Sequence, residues 1–227
     1  MKNEKENFSG IQMIKVPGGE EVLRDDRIHK KWRAVIKPFL LAKYPVTEGQ
    51  YFAFTKPEGA SSEGFNRPVV NISWNEAVMF CNLLSEKDGL TQCYSAVSGG
   101  EDVVCDWNAD GYRLPTEAEW QYACKAGTTG YRYGEIDRIA WYHENSDDRI
   151  QEVGQKEPND WGLYDMLGNV WEWCWDIYDV KKYGAYHIFR GGGWAEEVRG
   201  CGATVRRRGH PTFTIDDLGF RVARSVY

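Results

Sequence analysis

Histidine is scarce, and its spacing does not suit metal chemistry. The four residues, at 29, 143, 187 and 210, lack the spacing of a facial triad or of a zinc-protease helix. No phosphate-cradling glycine loop and no nucleophile elbow are present. The six cysteines, at 81, 93, 105, 124, 174 and 201, include no Cys-x-x-Cys pair, which argues against structural zinc. No run is long and apolar enough to cross a bilayer, and Met1 to Val16 mixes Lys, Glu and Asn rather than reading as a signal peptide. The expectation is a cytoplasmic chain whose thiols are free and mostly buried. Cys93 and Cys105 flank Gly99-Gly100, a hairpin-turn signal, and whether they ever pair stays open. Basic residues are not in excess: 28 Lys and Arg stand against 34 Asp and Glu, a net charge of −6. That argues against nucleic acid or an anionic membrane as partner. With no repeat and no low-complexity linker, residues 1–227 are read as a single domain.

Large rings and glycine are abundant instead. Aromatics make up 14% of the chain and glycine 24 of its 227 residues, a composition suited to long turns pinned by aromatic anchors. Strands are expected at Met13 to Val16 and at Ala34 to Lys43, the latter interrupted by Pro38 and therefore placed at an edge. Three helices have start signals. Thr47 can cap one running through Phe54. Ser73-Trp74-Asn75-Glu76 and Thr116-Glu117-Ala118-Glu119 are capping boxes, in which the hydroxyl accepts a backbone N–H and the Glu reaches back. Trp74, Ala77, Val78, Cys81 and Leu84 recur on one face of the second helix, and Gly89 can stop it. The third should run to about Ala126 and stop at Gly127. Beyond Gly130 no helix is expected. Tyr131 to Tyr183 reads as a long aromatic, turn-rich stretch, followed by short strands at His187 to Arg190 and Leu218 to Ala223.

Four segments then stand out, in order: Lys43-Tyr44-Pro45-Val46-Thr47; Gly111-Tyr112-Arg113-Leu114-Pro115-Thr116-Glu117-Ala118-Glu119-Trp120; Gly162-Leu163-Tyr164-Asp165-Met166-Leu167-Gly168-Asn169-Val170-Trp171-Glu172-Trp173; and Arg190-Gly191-Gly192-Gly193-Trp194 with a closing Gly219-Phe220-Arg221. Across nearly the whole chain this pattern resembles the sulfatase-modifying-factor (formylglycine-generating-enzyme) family. The resemblance implies an α+β chain with a variant C-type-lectin-like fold: few helices, short strands and long loops.

Asp165, Gly168, Val170 and Glu172 fall within one short turn, where two carboxylates and two carbonyls could hold a hard cation such as Ca2+. A tight turn with solvated acids is the alternative. The resemblance favours calcium, because family members bind a structural ion at the corresponding positions. A second family calcium site would fall in Glu144 to Arg149, where no ligands can be matched.

Formylglycine-generating members hold copper(I) between two cysteines spaced as residues 196 and 201 are here, with a serine at the position of Gly193. This chain keeps Cys201 but has Glu196 and Gly193. Copper(I) favours paired soft thiolates, so copper is not expected, and iron is left open. Cys201 is the one candidate catalytic residue; the arginines at 199, 206, 207 and 208 could lower its pKa, and Glu196 would oppose them. Packing as an inert thiol is the alternative. Trp171, Gly193, Trp194, Glu196, Arg206 and Arg207 are the candidate ligand groove, with core anchoring as the alternative for the two tryptophans. Two functions follow: a ligand-binding or accessory module for an unidentified small molecule, peptide or protein, or an oxidoreductase of altered chemistry using Cys201 with a partner.

Overall fold

The computed structural model describes residues 10–25, 27–55, 66–96 and 103–226. In chain order the elements are β1 (Met13–Val16), β2 (Gly19–Asp25), β3 (Lys30–Ile36), β4 (Phe39–Ala42), α1 (Glu48–Thr55), α2 (Trp74–Lys87), β5 (Tyr94–Ala96), β6 (Val103–Cys105), β7 (Tyr112–Arg113), α3 (Glu117–Lys125), α4 (Ile136–Ile139), β8 (Trp171–Ile177), α5 (Val180–Tyr183), β9 (His187–Arg190), β10 (Arg207–Gly209), β11 (Leu218–Phe220) and β12 (Ala223–Ser225). The fold is α+β, with regular structure in short pieces.

The helix starts follow from their caps. Ser73 accepts from the Glu76 N–H while Glu76 accepts from that of Ser73; Thr116 and Glu119 repeat the exchange. Thr47 and Gln50 form the same reciprocal pair at α1. The five residues expected on one face of α2 are all buried. The α3 stop differs by one residue from expectation: Ala126 itself takes the left-handed conformation, at φ 46° and ψ 44°, and Gly127 follows at φ 88°.

Two four-stranded sheets, ordered β1-β4-β12-β7 and β10-β9-β8-β11, carry the core, and β2-β3 and β5-β6 form separate hairpins. The segment expected as one edge strand is two strands. Pro38 divides β3, paired with β2, from β4, which lies inside its sheet between β1 and β12. Proline breaks the ladder here by separating two sheets rather than by marking an edge. Cys105 lies opposite Tyr94 in the β5-β6 ladder, and all six cysteines are free thiols. Gly99-Gly100 lies outside the described residues.

The stretch after Gly130 contains two four-residue helices and the seven-residue β8, none of which was expected. β8 was hidden because it is buried on both sides: Trp171, Glu172, Trp173 and Cys174 are all inaccessible, so no polar alternation marks it. It pairs antiparallel with β9 and parallel with β11, which brings distant segments together.

Removing either box hydroxyl leaves a helix-end N–H without its partner. Ser73→Ala and Thr116→Ala should each lower the unfolding free energy in urea titration by about 1 kcal/mol, with the slope unchanged.

Candidate functional site

The Asp165-to-Glu172 turn is built around a guanidinium. Glu172 and Arg221 are both fully buried, and Arg221 grips the carboxylate through Nε to Oε2 (2.8 Å) and Nη2 to Oε1 (2.6 Å). The indole Nε1 of Trp120 donates to the same Oε2 at 2.7 Å. The other Arg221 donors reach the carbonyls of Ala42, Lys43, Tyr164 and Asp165. Asp165 is buried at φ 54°; its Oδ2 accepts from the Gly154 N–H, and burial pushes its carboxyl up to about 6. The Gly168 carbonyl accepts from the Val170 N–H. A calcium ion at these four residues stays an expectation; what the geometry shows is a protein cation already seated on Glu172. A dication at Glu172 would stand against the Arg221 guanidinium, and both carboxylate oxygens already accept charge-assisted bonds. Gly168 is required for a different reason. At φ 74°, a Cβ there would meet the Trp141 carbonyl oxygen at 2.2 Å.

Cys201 is buried, and a side chain at Gly192 would meet its Sγ at 2.8 Å. Burial, followed by the charge of Glu196, pushes the thiol up to about 12; the guanidinium that opposes this is Arg132, not one of the arginines expected from the sequence. Those are spent elsewhere. Arg199 pairs with Glu197 at the surface. Arg206 pairs with Glu117 and Asp25, both buried, with Nη2 to Oε2 at 2.9 Å and Nη1 to Oδ2 at 2.9 Å. Arg208 lies 3.7 Å from the Tyr183 ring centre. Arg207 pairs with Glu196 at 2.8 Å and lies over Trp171 at 5.1 Å. The thiol is therefore protonated at neutral pH, and its donor set offers copper(I) one sulfur and one ion-paired carboxylate.

The run Arg206-Arg207-Arg208 enters β10, where successive side chains point to opposite faces. Arg206 and Arg208 both reach the Tyr178 ring, at 4.7 and 4.9 Å, while Arg207 faces Glu196. On the Arg207 side lies an open cavity of about 460 Å3, lined by Trp171, Tyr186, Phe189, Glu196, Arg206, Arg207, Arg208, Phe213, Ile215 and Asp217. Four expected groove residues, Trp171, Glu196, Arg206 and Arg207, thus share one cavity. Trp194 does not line it; its backbone is held by Asn169 and Ser146, and its indole N–H is buried without a partner among the described residues. Gly193 lies beneath the cavity: a Cβ there would fall 2.1 Å from Asp217 Oδ2. Two cavities of larger volume lie elsewhere, one by β1 and Arg224, one between β3 and Asp176.

Asp217 is the residue the sequence reading missed. It is 6% exposed, its Oδ1 has no hydrogen-bond partner among the described residues, and its carboxyl is pushed up to about 6 by burial, with Asp216 and Glu196 adding and Arg207 subtracting. Its place immediately before Leu218-Gly219-Phe220-Arg221 was the available signal.

With fold and site in view, comparison with known proteins is decisive. The family model for the sulfatase-modifying factor enzyme 1-like domain matches residues 1–226. The chain belongs to this family. It is similar to the chaperone protein LppX of Paenibacillus barcinonensis, at 29% identity over 84% of this chain and 81% of the relative. It is also 29% identical to the formylglycine-generating enzyme of Streptomyces coelicolor, over 75% of this chain but only 58% of that protein. Among solved structures, Treponema denticola variable protein 1 superposes with a TM-score of 0.84 at 31% identity, covering 94% of this chain and 95% of that one. This family member therefore has the lectin-like architecture expected of it.

The buried Asp217 carboxylate gives a pH-dependent signature. Its folded pKa, about 6, lies above the ordinary carboxylate value, so the stability tied to its protonated form is complete in acid and lost as pH rises through 6. Asp217→Asn should unfold at higher denaturant than the parent above pH 6, by on the order of 1–2 kcal/mol after allowance for solvent screening. That gain should disappear by about pH 4, and urea titrations across this range measure it.

Proposed function

We propose that this family member is a ligand-binding or accessory module and does not generate formylglycine by the copper route. One observation carries the reading: the position of the first copper thiol holds Glu196, and that carboxylate is ion-paired with Arg207 at 2.8 Å. A hard, neutralised carboxylate is a poor substitute for a soft thiolate. The neighbouring position supports the same reading. The family's hydroxyl-bearing residue is replaced by Gly193, and Asp217 occupies the space a side chain would need.

What the site offers instead is a concave surface with a few charged groups among aromatic walls, the usual composition of a small-ligand pocket. Its volume lies within the range of such pockets. Phe213 and Ile215, 39% and 41% exposed, extend the apolar rim into solvent. The whole-protein activities of longer relatives do not transfer to a chain that spans 58% of the Streptomyces enzyme.

The test is incubation of the purified protein with copper(I), oxygen and a peptide carrying Cys-x-Pro-x-Arg, followed by mass spectrometry. No aldehyde product above the no-protein control is expected, and no tight copper(I) binding in competition with a chelator. Turnover lost in Cys201→Ser would overturn the proposal and restore the oxidoreductase reading.

A further inference from the structure

The cavity's charges are nearly all spoken for. Arg206 is neutralised by Glu117 and Asp25, Arg207 by Glu196, and Arg208 rests on the tyrosine rings. Asp217 is left over. It lines the cavity, it is more than nine-tenths buried, and Oδ1 has no partner among the described residues. Its backbone is fixed, because its carbonyl accepts the Trp171 N–H at 2.7 Å within the β8-β11 pairing. The carboxylate cannot retreat toward Gly193, with which its Oδ2 is already in contact.

A buried carboxylate oxygen without a partner is expensive to keep and is commonly offset by a bound cation or hydrogen-bond donor. The surrounding walls define the rest of such a ligand. Trp171 and Phe189 meet edge to face at 5.3 Å, Phe189 and Phe213 stack at 6.4 Å, and Tyr186 closes one side. These rings provide apolar surface and electron-rich faces, both favourable to an organic cation.

We infer that the cavity binds a small organic cation, an ammonium or guanidinium group on an apolar or aromatic body, with Asp217 as its counter-ion and Trp171, Phe189 and Phe213 as its walls. This rests on the ligand-binding reading above and names the ligand's chemical class. Gly193 contributes by absence: it leaves the room in which the carboxylate stands. Arg207 is paired with Glu196 at 2.8 Å; its charge reaches Asp217, but it supplies no hydrogen bond to Oδ1.

Three probes of matched shape separate charge from shape: phenethylammonium, 2-phenylethanol and phenylacetate. Binding is followed by calorimetry and by the Trp171 indole N–H resonance, assigned through Trp171→Phe. Phenethylammonium is expected to bind at least tenfold more tightly than the alcohol, with phenylacetate weakest. Asp217→Asn should abolish that preference while the protein stays folded and, above pH 6, becomes more stable. A structural role alone would not convert a cation-selective cavity into an unselective one. Equal binding of the alcohol, preference for phenylacetate, or unchanged selectivity in Asp217→Asn overturns the cation assignment and leaves the ligand-binding reading standing. If none of the probes moves the Trp171 resonance, the cation assignment fails; if an unrelated fragment set also leaves it unmoved, the ligand-binding reading fails with it.

Discussion

The ion pair between Glu172 and Arg221 is the contact on which the rest of the molecule depends. Glu172 comes from the start of β8, Arg221 from the link between β11 and β12, and Trp120 from α3. Arg221 also holds the carbonyls of Ala42 and Lys43 at the end of β4, and of Tyr164 and Asp165 ahead of β8. The pair thus joins both four-stranded sheets, the third helix and the long irregular segment. Burying two charges is costly, and the cost is met here because every strong donor and acceptor of the pair is used. A second buried chain, Asp25–Arg206–Glu117–Arg190, does similar work on the other side of α3, joining β2, α3, β9 and the entry to β10.

These networks explain how a chain with so little regular structure keeps its shape. Loops cannot supply their own hydrogen bonds as helices do, so buried arginines supply donors to loop carbonyls. Arg190 donates to the carbonyls of Ala203 and Val205, as Arg221 does to its own four. The cavity by Asp217 lies where β8 and β11 meet the β10 arginines. Its floor is fixed by strand pairing, while its rim residues Phe213 and Ile215 belong to an exposed turn.

Much of the fold was legible because its signals are local. The capping boxes at Ser73 and Thr116 and the apolar face of α2 are interactions within a few residues. The strand at His187–Arg190 was also placed correctly. β8 was not, because a strand buried on both faces loses its alternation and reads as an aromatic loop. The site was less legible because it is made of long-range choices. Spacing placed Asp165 near Glu172 but could not show that the partner would be an arginine 49 residues away. The arginines expected to act on Cys201 are paired elsewhere: Arg206 with Glu117 and Asp25, Arg207 with Glu196. Asp217 was invisible for the same reason, since its meaning depends on contact with Gly193.

We propose that a protein cation, Arg221, rather than a bound metal ion, satisfies Glu172 and ties the two sheets together. The most direct measurement is thermal unfolding of the parent and of Glu172→Gln, each in excess calcium and in excess chelator. The account predicts one melting temperature for the parent under both conditions. It predicts a loss of about 3–5 kcal/mol in the variant, as for any buried pair stripped of one charge, again independent of calcium. A parent that melts markedly higher in calcium, with the shift abolished in Glu172→Gln, would contradict it.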